Sequence, residues 1–138
     1  MTTTLRVVFD PSAPGTGPDL ATASRELAAA LVATAPSGCE VRAIIPGDAG
    51  DDTLAAQGVT AADRLPVGSA AAAALWRRGL RAGAGDGLIH SATLAAPLVR
   101  HDRVHDHDQT VVTLWDVRPW DHSDEVSRTD AAWARAML

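Results

Sequence analysis

The sequence predicts an α/β fold: an open, doubly wound, mainly parallel sheet with helices on both faces. Three observations carry this. Short apolar, β-branched runs alternate along the chain with longer segments of helical period, the pattern of βαβ units. The best of those runs, Thr110 to Leu114, lacks the polar alternation of a half-solvated strand and reads as a strand buried on both faces. The runs also stop abruptly in turns marked by Pro, Gly or Asp, where an open sheet presents its carboxyl edge and binds ligands.

Taken in order, Leu5–Phe9 (Leu-Arg-Val-Val-Phe) is the first strand. Residues 10–18, Asp-Pro-Ser-Ala-Pro-Gly-Thr-Gly-Pro, form a loop. Leu20–Thr34 is a helix with Leu20, Leu27 and Leu31 on one face, Asp19 placed to cap it, and Pro36-Ser37-Gly38 ending it. Val41–Ile45 is the second strand, closed by Pro46-Gly47. The polar stretch Asp48–Asp63 has room for a short helix at Leu54–Gln57. Arg64–Val67 is a short strand, placed at an edge by Pro66. Ser69–Arg81 is a helix capped by Ser69, with Ala72, Trp76, Gly79 and Leu80 as its apolar stripe. Arg77, Arg78 and Arg81 sit where a helix dipole favours cations. After the glycine turn 83–87, Leu88–His90 is a central strand. Leu94–Val99 is a single helical turn broken at Pro97. The loop His101–Asp108 precedes the strand at Thr110, and a last helix starts at Ser123, with Asp124 and Glu125 in its first turn and Val126, Trp133 and Met137 on its apolar face. The Rossmann-like strand order 3-2-1-4-5 follows, with a crevice where the order reverses.

Bulk properties narrow the classes. The 138 residues form one domain large enough for a sound core, with 46% hydrophobic and 21% charged residues. A net charge of −5 argues against nucleic acid as a partner, since binding phosphate backbones needs a basic face. All twelve cations are Arg. That suits phosphate forks, but their scatter along the chain fits an Arg-rich coding bias better. Cys39 is alone, which excludes an intrachain disulfide and suits a reducing cytosol. No signal-peptide pattern opens the sequence and no apolar run is long enough to span a bilayer.

Candidate chemistry gathers at the strand ends. Gly15 and Gly17 lie between the first strand and its helix, where backbone N–H groups bind anions, though Gly-Thr-Gly without a third spaced glycine is also ordinary punctuation. His90 and Ser91 end the fourth strand. Asp116 and Arg118 either pair to order their turn or orient substrate hydroxyls. Trp115 and Trp120 are either core or stacking faces for sugar rings. His101–Asp108 has metal-ligand residue types in a spacing that fits no common template, so a solvated loop is expected and no metal site.

At these residues a family resemblance enters. Thr113-Leu-Trp-Asp-Val-Arg-Pro-Trp-Asp-His-Ser123 resembles the T-x-H-D-x-x-P-x-x-H-P segment of family 4 glycosyltransferases, which have the two-domain GT-B fold. Leu88-Ile-His-Ser-Ala-Thr-Leu-Ala-Ala-Pro-Leu98 resembles that family's V-H-S-P-S-L-L-A-P-L, and Ala131–Leu138 resembles the helix after the first segment. The resemblance is collinear over most of the chain, with one departure: Trp115 stands where the family has histidine. It implies the N-terminal, acceptor-side domain of a retaining glycosyltransferase. A nucleotide-sugar donor, a sugar or polyol acceptor and a C-terminal nucleotide-sugar domain would be its partners, and no cofactor is needed. It implies a substrate cleft at Gly15, Gly17, His90, Ser91, Trp115, Asp116 and Arg118, with Asp116 the candidate catalytic group. It implies a cytoplasmic enzyme, in some cases peripheral on the inner membrane face. The chain by itself is expected to be inactive and to self-associate through an exposed cleft. Two other classes stay open: a stand-alone α/β module for a small phosphorylated ligand, and a metal-dependent hydrolase using His101–Asp108.

Overall fold

The computed structural model describes residues 2–50, 59, 61–98 and 109–138. The expected Leu54–Gln57 helix and the His101–Asp108 loop lie outside them, as does Val99. Five parallel strands form one sheet: β1 (Thr3–Val8), β2 (Cys39–Ile45), β3 (Ala62–Arg64), β4 (Leu88–Ser91) and β5 (Gln109–Val112), in the order β3-β2-β1-β4-β5. The helices are α1 (Pro18–Ala33), α2 (Ser69–Trp76), the single turn α3 (Arg118–Asp121) and α4 (Arg128–Met137). The α/β fold, the parallel pairing and the strand order are those the sequence predicts.

The register sorts side chains between two layers. Val8 pairs with Ile44, and Arg6 with Ile89. On that face Val8, Ile44 and Ile89 pack with Ala72 and Trp76 of α2 and Met137 of α4. The residues in between face the other way, where Phe9, Ala43 and Ile45 pack with Val32 of α1. Helices therefore cover both faces. The apolar part of the α2 face occupies its carboxyl half. Its amino half carries a charged ladder, in which Arg6 and Arg42 both donate to Asp63, at 3.1 Å and 2.7 Å. The Arg42 guanidinium holds the Asp63 carboxyl below the usual carboxylate range.

Several boundaries differ from expectation for identifiable reasons. β3 is Ala62–Arg64 rather than Arg64–Val67, because ladder pairing with β2 ends where Pro66 lacks a donor. Gly47 closes that turn by close approach: its N–H donates to Val67 O at 2.8 Å, and an added Cβ would lie 2.7 Å from Leu65 O. α1 is capped by Gly17 without a side chain, and Asp19 sits inside its first turn instead of capping it. α2 ends at Trp76, not Arg81. Gly79 (φ 74°) donates to Trp76 O at 2.8 Å and Leu80 to Leu75 O at 3.0 Å, the paired bonds of a Schellman stop. Its cap is Gly68, and Ser69 is the first helical residue.

After β4, residues 94–98 form no helical turn. Side chains meet that backbone instead: Thr93 N–H donates to Ser91 Oγ and Ala95 N–H to Thr93 Oγ1, both at 3.2 Å. β5 is an edge strand with Val111 58% exposed, so the expectation of a strand buried on both faces is corrected. The last long helix starts four residues later than expected, with Ser127 rather than Ser123 as its cap. No described helix is long and apolar enough to cross a membrane.

Candidate functional site

The carboxyl ends of β1, β4 and β5 surround a cleft of about 270 Å³. It lies where the chain order reverses between β1 and β4, the position at which open α/β sheets bind ligands. The β1–α1 loop supplies Pro14 and Gly15 to one wall, and the first turn of α1 adds Leu20. The segment after β4 supplies Thr93 and Leu94. The segment after β5 supplies Thr113, Leu114, Trp115 and Asp116, followed by Arg118 and Pro119 of α3. α4 and its approach close the far side with Val126, Ser127, Asp130, Trp133 and Ala134.

Each group is held by local structure. Gly15 adopts φ 75°, where a side chain would be strained, and its position faces Trp133 Cδ1, 3.7 Å from an added Cβ. The Trp115 indole N–H donates to Ala92 O at 2.7 Å, which leaves the residue 55% exposed but tethered. Asp116 accepts the Arg118 backbone N–H at 2.9 Å and grips the same guanidinium at 3.0 Å and 2.7 Å. Those Arg118 hydrogen bonds hold the Asp116 carboxyl below its ordinary range. Such a carboxylate is ionised at neutral pH and a weak base. It accepts hydrogen bonds from hydroxyls rather than protons. Ser127 accepts from Asp130 N–H at 3.0 Å and donates to its carboxylate at 2.6 Å.

Three expected site residues stand apart from this lining. Gly17 caps α1, and an added Cβ there meets nothing within 4 Å, so no close approach demands glycine. Ser91 is fully buried and its hydroxyl is taken up inside the β4 turn, donating to Ala95 O at 3.3 Å. That burial corrects its assignment as a ligand contact. His90 lies beneath the cleft, its Nε2 3.1 Å from Thr113 Oγ1 and its Nδ1 buried without a partner. Burial pushes the imidazole below its ordinary range, towards the neutral form. His90 therefore touches the cleft lining through Thr113. Trp120 is half-buried and absent from the lining.

Sequence reasoning missed Thr113, Ser127, Asp130 and Trp133. Ser127-Arg-Thr-Asp130 carries an N-cap spacing that marks the α4 start, but nothing local shows that this helix returns to the β1–α1 loop. It also missed Asp10, which is 7% exposed just after β1. Asp10 accepts the Ser12 N–H at 3.0 Å and the Ser69 hydroxyl at 2.5 Å. Asp48 accepts the Ser69 N–H at 2.9 Å at the same helix start. Burial pushes the Asp10 carboxyl above its ordinary value of 3.8, and Asp48 adds to the rise.

The native state thus binds the Asp10 proton more tightly than the unfolded chain. The destabilisation is present above the folded pKa and relieved as pH falls through it. Asp10→Asn keeps the shape and removes the buried charge. It is expected to raise the unfolding free energy at pH 7, where an average substitution loses about 1 kcal/mol. The advantage should shrink on acidification towards 3.8. Urea titrations of both proteins at two pH values measure this, and a variant less stable at pH 7 contradicts it.

Among the described residues no group of three or more His, Cys, Asp or Glu is arranged to hold a metal ion. Comparison with protein-family models, with curated proteins and with solved structures finds no match to this chain.

Proposed function

We propose that this domain is the acceptor-side half of a retaining glycosyltransferase, which moves a sugar from a nucleotide-sugar donor to a sugar or polyol acceptor. The observation that supports this reading best is a convergence. Gly15, from the β1–α1 loop, and Trp115, Asp116 and Arg118, from the segment resembling the family motif, line one cleft at the carboxyl edge. Fold alone would support no activity.

In this reading the acceptor ring lies against Trp115. The Asp116 carboxylate accepts a hydrogen bond from an acceptor hydroxyl and fixes its direction of attack. Rate enhancement then comes from orientation and from preorganised dipoles rather than from a base on this domain. Val111, Leu114, Trp115 and Val117, all exposed near the cleft, give a donor-binding domain an apolar surface to close on.

The test is a transfer assay. The product of the complete reading frame, incubated with labelled UDP-, GDP- and ADP-sugars and a panel of sugar and polyol acceptors, should form glycoside with retained anomeric configuration. Absence of transfer from every donor, by a folded protein, would refute the reading.

A further inference from the structure

Building on that reading, the cleft's own charges narrow the acceptor. Among the described residues its charged lining is two carboxylates, Asp116 and Asp130, against one guanidinium, Arg118. Arg118 does not face the cleft as a free cation, because Nε and Nη2 are both engaged by Asp116, at 3.0 Å and 2.7 Å. The two longer helices that start at the cleft each carry a carboxylate in the first turn, Asp19 in α1 and Asp130 in α4. Each offsets the positive end of its helix dipole. A phosphorylated ring would meet a net negative wall among the described residues and compete with Asp116 for Arg118. An uncharged ring meets neither obstacle.

The apolar part of the lining fits such a ring. Trp115 is tethered by its single donor, with over half its surface open. A tethered indole offers a flat apolar face at little entropic cost, and a pyranose has a C–H face to set against it. The rim of the ring then meets the remaining lone pairs of Asp116 and the Nη1 of Arg118, which Asp116 does not engage. A volume of about 270 Å³ falls just below the usual range of ligand clefts, roughly 300–1,000 Å³. It has room for one ring rather than an oligosaccharide.

We propose that the cleft selects an uncharged pyranose, stacked on Trp115 and hydrogen-bonded to the Asp116–Arg118 fork, over the same sugar carrying a phosphate. Trp115 is then a specificity-determining residue, in the place of the histidine the resembling family carries.

Saturation-transfer NMR on the 138-residue chain tests this, with methyl gluco-, galacto- and mannopyranosides and the matching hexose 6-phosphates as probes. At least one methyl glycoside should bind saturably, with transfer strongest on its C–H face. Its 6-phosphate should bind at least about fivefold more weakly at low salt. Trp115→Ala should weaken the glycoside about five- to tenfold and Trp115→Phe should restore most of that, with both variants checked for folding by circular dichroism. Tighter binding of the 6-phosphates would overturn the selection while leaving the glycosyltransferase reading intact. Binding indifferent to Trp115→Ala would overturn the stacking. No saturation transfer to any sugar would overturn both this inference and the acceptor-side reading.

Discussion

Trp76→Ala is expected to lower the unfolding free energy by about 3–5 kcal/mol, out of a total on the order of 5–15 kcal/mol for a domain of this size. Trp76 is 2% exposed and the largest side chain in the core cluster of Val8, Ile44, Leu65, Ala72 and Ile89. Most of its neighbours are alanine, valine and isoleucine on rigid strands and α2, so little can collapse into the void. Its indole N–H also donates to Arg81 O at 3.1 Å, tying the turn after α2 to the core. Alanine removes the packing and that bond together. Urea denaturation followed by far-UV circular dichroism measures the loss. A decrease under about 1 kcal/mol would mean that the α2 layer is not packed as described.

For the proposed transfer, Asp116→Ala is expected to cut kcat/KM by about a hundredfold, with folding intact. The carboxylate makes the Asx bond to Arg118 N–H and both grips on its guanidinium. Without it the proposed acceptor loses its hydroxyl acceptor, and the arginine is freed into the cleft. Misplacing a reacting group by about 1 Å costs on that scale. Both residues of the pair are substantially exposed, with side chains at 50% and 40%, so the fold should not depend on them. Asp116→Asn separates charge from shape, keeping the Arg118 N–H bond and losing the ion pair. Wild-type turnover in both variants would remove Asp116 from the mechanism.

How much of this was legible in the sequence depends on what each residue answers to. The inner strands were legible because Val7-Val8 and Ala43-Ile44-Ile45 are continuous apolar runs, and only a sheet covered on both faces buries every residue of such a run. The strand order followed from the alternation with helices and the preference for adjacent, right-handed connections. The end of β5 was harder. Thr110–Leu114 is as apolar as a central strand, yet Val111 and Leu114 are exposed at the sheet edge.

Helix boundaries failed where two signals compete. Gly79 sits on the apolar stripe extrapolated from Ala72 and Trp76, but it takes φ 74° and stops α2. Ser123 and Ser127 are both serines with acids in the following three residues. Ser127 caps α4 because Arg118–Asp121 has already formed its own turn and the chain must leave it before a new helix can start. In the cleft, Gly15, Trp115, Asp116 and Arg118 were readable because strand ends point to one edge. Ser127, Asp130 and Trp133 were not. Their place depends on α4 folding back beside Gly15, a contact more than a hundred residues distant in sequence.

The central claim is that the carboxyl-edge cleft is the sugar site, and chemical-shift mapping tests it most directly. The ¹⁵N-labelled 138-residue chain would be titrated with the best-binding methyl glycoside. The amides of Gly15, Thr93, Asp116 and Asp130 and the indole N–H signals of Trp115 and Trp133 should move together along one saturable curve, while Arg6 and Arg42 in the amino half of the sheet stay still. Saturable shifts confined to the amino half, or shifts that leave both indole signals in place, would contradict it.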